Sequence, residues 1–96
     1  MAEVRVIARA LAHGGKAAEL KELLSGMIEP TRAEAGCKYY ELFESNILGL
    51  FYFNELWESE AHLAAHAASD HFTTIFAKAE ALLKEPLEVN FLEEVK

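Results

Sequence analysis

Several features that define whole classes of protein are scarce in this sequence. There is one cysteine, Cys37, so no intramolecular disulfide can form, and a reducing, cytoplasmic location is expected. The N-terminal residues lack the long apolar run of a signal peptide, and no segment approaches the roughly 20 consecutive apolar residues that span a bilayer. We therefore expect a soluble protein with no membrane partner.

Basic residues are also few. Lysine and arginine number 9 against 16 aspartates and glutamates, which gives a net charge of −7. Without a basic stripe, nucleic acids and anionic membrane surfaces are poor partners. A phosphate-cradling glycine loop and the Gly-x-Ser-x-Gly motif are absent as well. The partner we expect is a small molecule.

Apolar residues, by contrast, are plentiful. The 96 residues are enough for one domain spanning 1–96, and 52% of them are apolar and 10% aromatic, which argues against disorder. A chain of this size buries only about two-thirds of its unfolded surface. It can fold alone, but a partner would help to complete its core.

The spacing of apolar residues predicts an α+β fold. In chain order the patterns predict a strand at 4–11, a helix at 16–35, strands at 37–44 and 50–57, a helix at 60–68, a helix beginning after Ser69 or Asp70, and a strand at 87–95. Pro30 predicts a bend in the first long helix, because it lacks the N–H that would bond the Gly26 carbonyl. This order is the ferredoxin-like split β-α-β-β-α-β arrangement with an antiparallel sheet.

Both faces of the predicted sheet are rich in apolar residues. The strand at 50–57 carries Leu50, Tyr52 and Leu56 on one side and Phe51, Phe53 and Trp57 on the other. In this fold both helices cover the same face, so the second face should be polar if it meets water. An apolar open face indicates an interface, and we expect a homodimer that packs sheet on sheet.

Three of the four histidines fall within ten residues. His62 and His66 are four apart on one helix face, which suits a metal pair, but no third ligand is obvious and we predict no metal site. A helix break at Ser69-Asp70 would bring His66 and His71 toward one cavity, where either could act as a general base. The alternative is that these histidines are structural or solvated.

Glu55 is the carboxylate in an otherwise apolar strand. If it is buried it needs a partner, such as Arg5, Arg9 or a histidine, or a raised pKa. A structural ion pair and a catalytic role are both open. Trp57 can be a core residue or can donate its N–H to a ligand. Asn54 can position a ligand or face the dimer interface, and Cys37 is expected to be buried and inert.

Three segments, in this order and spacing, resemble the antibiotic biosynthesis monooxygenase superfamily. They are Thr31-Arg32-Ala33-Glu34-Ala35-Gly36-Cys37, Glu55-Leu56-Trp57-Glu58-Ser59, and Ala65-His66-x-x-Ser69-x-His71-Phe72. The resemblance covers nearly the whole chain and implies a dimeric α+β barrel of ferredoxin-like subunits. The superfamily that the chain resembles includes cofactor-free quinol or anthrone oxygenases, haem-degrading enzymes and an isomerase of a phosphorylated autoinducer.

The oxygenase interpretation gives several residues in and near these segments a role. The substrate expected is a quinol-like or polycyclic phenol, which is electron-rich and, once deprotonated, can react with O2 in an apolar cavity without metal or cofactor. The resemblance implies His66 or His71 as the base, with Glu55 as a further catalytic residue. Trp57 and Asn54 would position the ring, and Tyr39, Phe72 and Phe76 would form the walls.

The sequence departs from the haem-degrading relatives in two places. Their axial histidine on the last helix is replaced by the segment 73–76, and their first-strand asparagine by Ala8, so haem chemistry is not expected. The isomerase remains an alternative, with Arg5, Arg9, Arg32 and Lys38 as the nearby basic residues. A non-catalytic dimeric module that binds a small molecule is the third hypothesis.

Overall fold

The computed structural model describes residues 3–96 and has the predicted α+β order. Its elements are β1 (Val4–Leu11), α1 (Ala17–Ser25), α2 (Ile28–Arg32), β2 (Cys37–Glu44), β3 (Leu50–Trp57), α3 (Glu60–Ala67), α4 (Asp70–Glu80) and β4 (Glu88–Leu92). The split of the second helical region and the ferredoxin-like arrangement are confirmed. Among the described residues, no helix is both long and apolar enough to cross a membrane.

The four strands form one antiparallel sheet in the order β2-β3-β1-β4. Glu55 at the centre of β3 pairs with Tyr40 on β2 and with Val6 on β1, and Val6 in turn pairs with Phe91 on β4. Residues that pair across antiparallel strands point to the same face. This row of four side chains therefore crosses the face on which the helices lie.

The helix-covered face and the open face alternate along each strand as predicted. Phe51, Phe53 and Trp57 are buried beneath the helices and pack with Leu20 and Leu24 of α1. The open face carries the other set, which includes Arg5, Ile7, Tyr39, Glu41, Phe43, Tyr52, Asn54, Leu56 and Leu92. The core lies between the sheet and the helices, because only there do two apolar surfaces meet.

The open face is more mixed than the sequence predicts. Arg5 Nη1 donates to Asn54 Oδ1 at 2.9 Å, and Asn54 Nδ2 donates to Glu41 Oε1 at 3.1 Å. This chain of hydrogen bonds runs between exposed aromatic side chains, of which Tyr39 and Phe43 are each 52% exposed. The face therefore combines apolar area with a polar stripe whose groups bond one another through Asn54.

Two element boundaries differ from the prediction. The first long helix is divided between Ser25 and Ile28, one turn before Pro30, so the expected bend is a break. The last strand is five residues long rather than nine. Leu92 pairs with Arg5 near the start of β1, so almost no partner strand is left beyond it.

Candidate functional site

A cavity of about 190 Å³ lies between the helix-covered face of the sheet and α3 and α4. Among the described residues its lining is apolar except for Tyr40, Glu55 and His66. A few polar groups in an apolar concavity are typical of small-molecule sites. An apolar cavity of about 150 Å³ holds one benzene ring, so this cavity suits a single aromatic ring.

The cavity opens toward the edge strand β4. A second, more open depression shares Leu63, Ala67 and Phe91 with it, which places the mouth between α3 and β4. Phe91 is 67% exposed although it points to the helix side of the sheet. The helices thus leave β4 uncovered, and a larger ligand could extend along it.

His66 is the histidine that borders this cavity. It lies in the last turn of α3, is 3% exposed, and packs 4.8 Å from Trp57 and 5.1 Å from Phe72 between ring centroids. Its Nδ1 lies 2.8 Å from Glu34 Oε2. Within residues 3–96 no hydrogen bond reaches His66 Nε2, so that nitrogen is the one available to a ligand.

One carboxylate oxygen of Glu34 is hydrogen-bonded to two histidines. Its Oε2 lies 2.8 Å from His66 Nδ1 and 2.7 Å from His71 Nε2. An ionised carboxylate only accepts hydrogen bonds, so both of these nitrogens must carry a proton. A neutral His66 then has its lone pair on Nε2, the tautomer that a general base in the cavity requires.

The break between α3 and α4 brings the two histidines together, as predicted. Ser69 Oγ donates to the His66 carbonyl at 2.7 Å and accepts from Phe72 N, which ends α3 and caps α4. The centroids of the two imidazole rings are 6.0 Å apart. His71 does not line the cavity, however; it lies behind Glu34, beside the Thr31 hydroxyl at 3.2 Å.

Gly36 allows α3 to approach the segment that carries Glu34. Its φ of +81° is in the left-handed region that favours glycine, and a Cβ there would overlap the ring of His62. His62 is held in turn by Ser59, whose Oγ lies 2.8 Å from its Nδ1. His62 therefore has a structural contact and does not form a metal pair with His66.

Glu55 has neither of the arginine partners considered for it. Arg5 and Arg9 lie on the open face and bond Asn54 and Glu85. Trp57 Nε1 donates to Glu55 Oε1 at 2.9 Å. Burial raises the pKa of Glu55, and the Trp57 hydrogen bond and nearby His66 oppose that change only in part. Its protonated form is thereby favoured inside the cavity.

Tyr40 is the third polar group of the cavity, and the sequence did not predict its role. It is 2% exposed, and burial raises the pKa of its phenol, a change that a hydrogen bond with Thr31 opposes only in part. The hydroxyl therefore remains a neutral hydrogen-bond donor. The alternation of residues in β2 indicates which side faces the helices, but not that Tyr40 borders a cavity.

The structure separates the predicted ligand-binding residues into two groups. Phe72 and Phe76 line the cavity with their rings stacked at a centroid distance of 5.5 Å. Asn54 and Tyr39 lie on the open face, with the sheet between them and the cavity, because side chains alternate along a strand. Trp57 is fully buried and its N–H bonds Glu55, so it supports the cavity without lining it.

Glu34 was also not predicted as a site residue, although it stands in the first of the three segments that carry the resemblance. It follows α2 on the turn before Gly36 and reaches α3 and α4 across the fold. Its contacts with the histidines span 32 and 37 positions of sequence, so no local pattern reveals them.

Comparison with known proteins identifies the family. The family described as antibiotic biosynthesis monooxygenase matches residues 3–78, which include Glu34, Glu55 and both site histidines. The chain belongs to this family. Its members share the ferredoxin-like fold seen here, and the names of its relatives support a monooxygenase-like function.

Two relatives show the extent of the sequence similarity. "Putative monooxygenase Rv0793" of Mycobacterium tuberculosis is 38% identical over 89 residues, covering 93% of this chain and 88% of that protein. "Putative monooxygenase YcnE" of Bacillus subtilis is 36% identical over 64 residues, covering 66% and 67%.

Two solved structures show the extent of the structural similarity. The structure of Rv0793 superposes with a TM-score of 0.92 at 36% identity, covering 99% of this chain and 97% of that one. The structure of PA3566 from Pseudomonas aeruginosa superposes with a TM-score of 0.92 at 32% sequence identity, covering 100% of this chain and 97% of that one. Similarity of this extent establishes the fold and leaves the substrate open.

Proposed function

We propose that this protein is a cofactor-independent monooxygenase that oxidises a quinol-like phenol with O2. The observation that carries the proposal is His66, which borders an apolar cavity with its Nδ1 bound to Glu34. Family membership supports oxygenation, and the geometry supplies a base in a mostly apolar cavity.

The reaction begins when His66 Nε2 takes a phenolic proton. Glu34 keeps the ring oriented and stabilises the imidazolium that forms, the role a carboxylate has beside a catalytic histidine. Because the cavity lining is apolar, the phenolate is poorly solvated and electron-rich. It passes one electron to O2, and the resulting phenoxyl radical and superoxide combine into a peroxide on a ring carbon.

The overall stoichiometry needs no external reductant. The ring carbon loses its hydrogen, the O–O bond breaks, and quinol plus O2 becomes hydroxyquinone plus water. The substrate supplies all four electrons that reduce O2. Glu55, whose raised pKa favours the protonated form, can give a proton to the departing oxygen. Tyr40, which stays protonated because its pKa is raised, is a neutral donor for the substrate oxygen.

The cavity favours this reaction over the phosphorylated keto-sugar alternative. No arginine or lysine is among the described residues that line it. Arg32 donates to the Tyr40 carbonyl, Lys38 pairs with Glu3, and Arg5 and Arg9 face the other side of the sheet. Burying a phosphate dianion without a paired cation is strongly unfavourable.

The test is oxygen uptake with a panel of one-ring and two-ring quinols, corrected for autoxidation without protein. We expect turnover of at least one quinol, with one atom of ¹⁸O2 in the product and one in water. His66→Gln should lower kcat by about 100-fold or more, since it removes the base. His13→Gln, in an exposed turn, is the matched control and should retain activity.

If oxygen uptake does not exceed autoxidation with any quinol of the panel, the oxygenase proposal is contradicted and a non-catalytic binding module is favoured. Full activity in the folded His66→Gln variant would contradict the assignment of the base.

We also propose that a second copy of the chain covers the open face. Tyr39 and Phe43 are each 52% exposed there and Leu92 is 49% exposed, on a sheet that its own helices cover on one side only. A symmetric sheet-on-sheet dimer would bury these side chains and leave each cavity on the outer, helical side.

A further inference from the structure

Three side chains from three different elements converge on one point beside the cavity. Glu34 follows α2, His66 ends α3 and His71 begins α4. One ligand atom from each lies within 4.8 Å of the other two. We propose that these residues form a binding site for a divalent transition-metal ion of the zinc type, with His66 Nδ1, His71 Nε2 and a Glu34 carboxylate oxygen as ligands.

The ligand set matches the chemistry of such ions. Two imidazole nitrogens and a carboxylate, with a fourth position left for water, form a common three-ligand zinc site. Imidazole selects zinc, copper, iron and nickel, whereas magnesium and calcium prefer all-oxygen sites. We therefore expect Zn²⁺ to bind and Mg²⁺ not to compete.

Zinc binding requires the three ligand atoms to rearrange, and the two histidine nitrogens, which lie within 4.8 Å of each other, must take up the spacing of a tetrahedral site. Glu34 Oε2 is 2.8 Å and 2.7 Å from the two nitrogens, because protons now lie between them. Bonds of about 2.0–2.1 Å in a tetrahedral zinc site put ligand atoms about 3.3 Å apart. The Glu34 and His71 side chains are 15% and 22% exposed, so they have room to move and the ion can enter beside them.

Zinc would take the place of the two protons that now join the histidines to Glu34, and each neutral imidazole would then carry its proton on its other ring nitrogen. Metal affinity should fall as the solution becomes more acidic, since an imidazolium has no lone pair for the metal. The hydroxyls of Thr31 and Ser69 lie 3.2 Å and 3.4 Å from His71 Nε2. Both are placed to hold a zinc-bound water.

Metal binding has a consequence that rests on the proposed function. A neutral histidine that binds metal through Nδ1 carries its proton on Nε2. The nitrogen available to the cavity then changes from an acceptor into a donor, and His66 can no longer take a proton from a phenol. Zinc should therefore inhibit oxygenation at the same occupancy at which it binds.

The site is tested on tag-free protein by competition with a chromophoric zinc chelator. We expect one Zn²⁺ per chain, with affinity lowered about tenfold or more in His71→Gln and in Glu34→Gln. His13→Gln should bind as the parent protein does, and excess Mg²⁺ should have no effect. Far-UV circular dichroism checks that each variant is folded.

Binding that is absent, or equal in the parent and both folded site variants, would overturn the proposal. This experiment does not depend on turnover. Zinc bound through Glu34 and His71 in a protein with no oxygenase activity would leave the metal site standing and remove the proposed function. Oxygenase activity in a protein that does not bind zinc would leave the proposed function standing and remove the metal site.

Discussion

Glu55 is a carboxyl group in a layer that is otherwise almost entirely apolar. It is 6% exposed, receives one hydrogen bond from Trp57, and has a pKa raised chiefly by burial. Protonation inside the fold lowers the cost of keeping such a group buried. The same property suits it to donate a proton during oxygenation.

The raised pKa of Glu55 makes stability depend on pH. At a pH below 4.5, the ordinary pKa of the Glu55 carboxyl, both the folded and the unfolded chain hold the proton, so Glu55 adds no pH dependence to stability. Above 4.5 the folded chain retains the proton longer, and the free energy of unfolding falls until the raised pKa is passed. Glu55→Gln should remove this loss, which is about 1.4 kcal/mol for each tenfold increase in proton affinity that folding causes.

Urea unfolding of both proteins between about pH 4 and pH 8 measures the effect. The Gln variant should gain stability relative to the parent as pH rises. A difference that stays constant across this range would show that Glu55 titrates normally in the folded chain.

At the scale of elements, the site depends on close contact between α3 and the turn that carries Glu34. Gly36 permits that contact because it has φ +81° and no side chain beneath the His62 ring. The Glu58 N–H also donates to the Gly36 carbonyl at 2.8 Å, which ties the end of β3 to the same turn. The positions of Glu34 and His66 therefore depend on one glycine.

Gly36→Ala should lower the free energy of unfolding by about 2 kcal/mol or more, from left-handed strain and overlap with His62. Gly14→Ala is the matched control, since a Cβ added at Gly14 would meet no atom within 4 Å and Gly14 has no positive φ. Thermal unfolding measures both. Adding His62→Ala to Gly36→Ala should restore the part of the lost stability that is due to overlap with the His62 ring. Equal losses of stability in Gly14→Ala and Gly36→Ala would contradict this explanation.

At the scale of the whole molecule, the sheet has helices on one face only. The open face mixes exposed aromatic side chains with the Arg5–Asn54–Glu41 hydrogen-bond chain. Because those polar groups already bond one another in part, the desolvation cost of covering them with a second sheet is lowered. The arrangement fits a dimer whose interface is apolar with a polar stripe.

Phe43→Lys should shift the proposed dimer toward monomer, because it puts a charge into the interface and removes apolar area. Static light scattering measures the mass. Ile47→Lys is the control: Ile47 is 58% exposed but lies in the loop between β2 and β3. A parent protein of monomer mass, or a Phe43→Lys variant of unchanged mass, would contradict this interface.

Most of the fold could be predicted because its signals are local. The alternation in β3 separates Phe51, Phe53 and Trp57 from Tyr52 and Leu56, and a strand has only two faces. Ser59 and Ser69 cap α3 and α4 as predicted, since capping involves residues a turn apart. The end of β4 was placed too late because strand length depends on the partner strand.

The site was predictable only in part. The resemblance assigns His66, Phe72 and Phe76 to one site, and all three line the same cavity in the structure. The assignment of Asn54 and Tyr39 to the same cavity depended on which face of the sheet holds the ligand. Both faces of this sheet carry apolar residues, so composition alone did not decide that question.

The sequence by itself determined the order of the elements, the two faces of the sheet and the helix break that joins the histidines. These follow from periodicity and capping, which act over a few residues. Tertiary structure alone decided that Glu34 joins His66 and His71, that Trp57 donates to Glu55, and that β4 leaves the cavity open. Those arrangements depend on which segments and side chains pack together, and for Glu34 the partners lie more than 30 residues away along the chain.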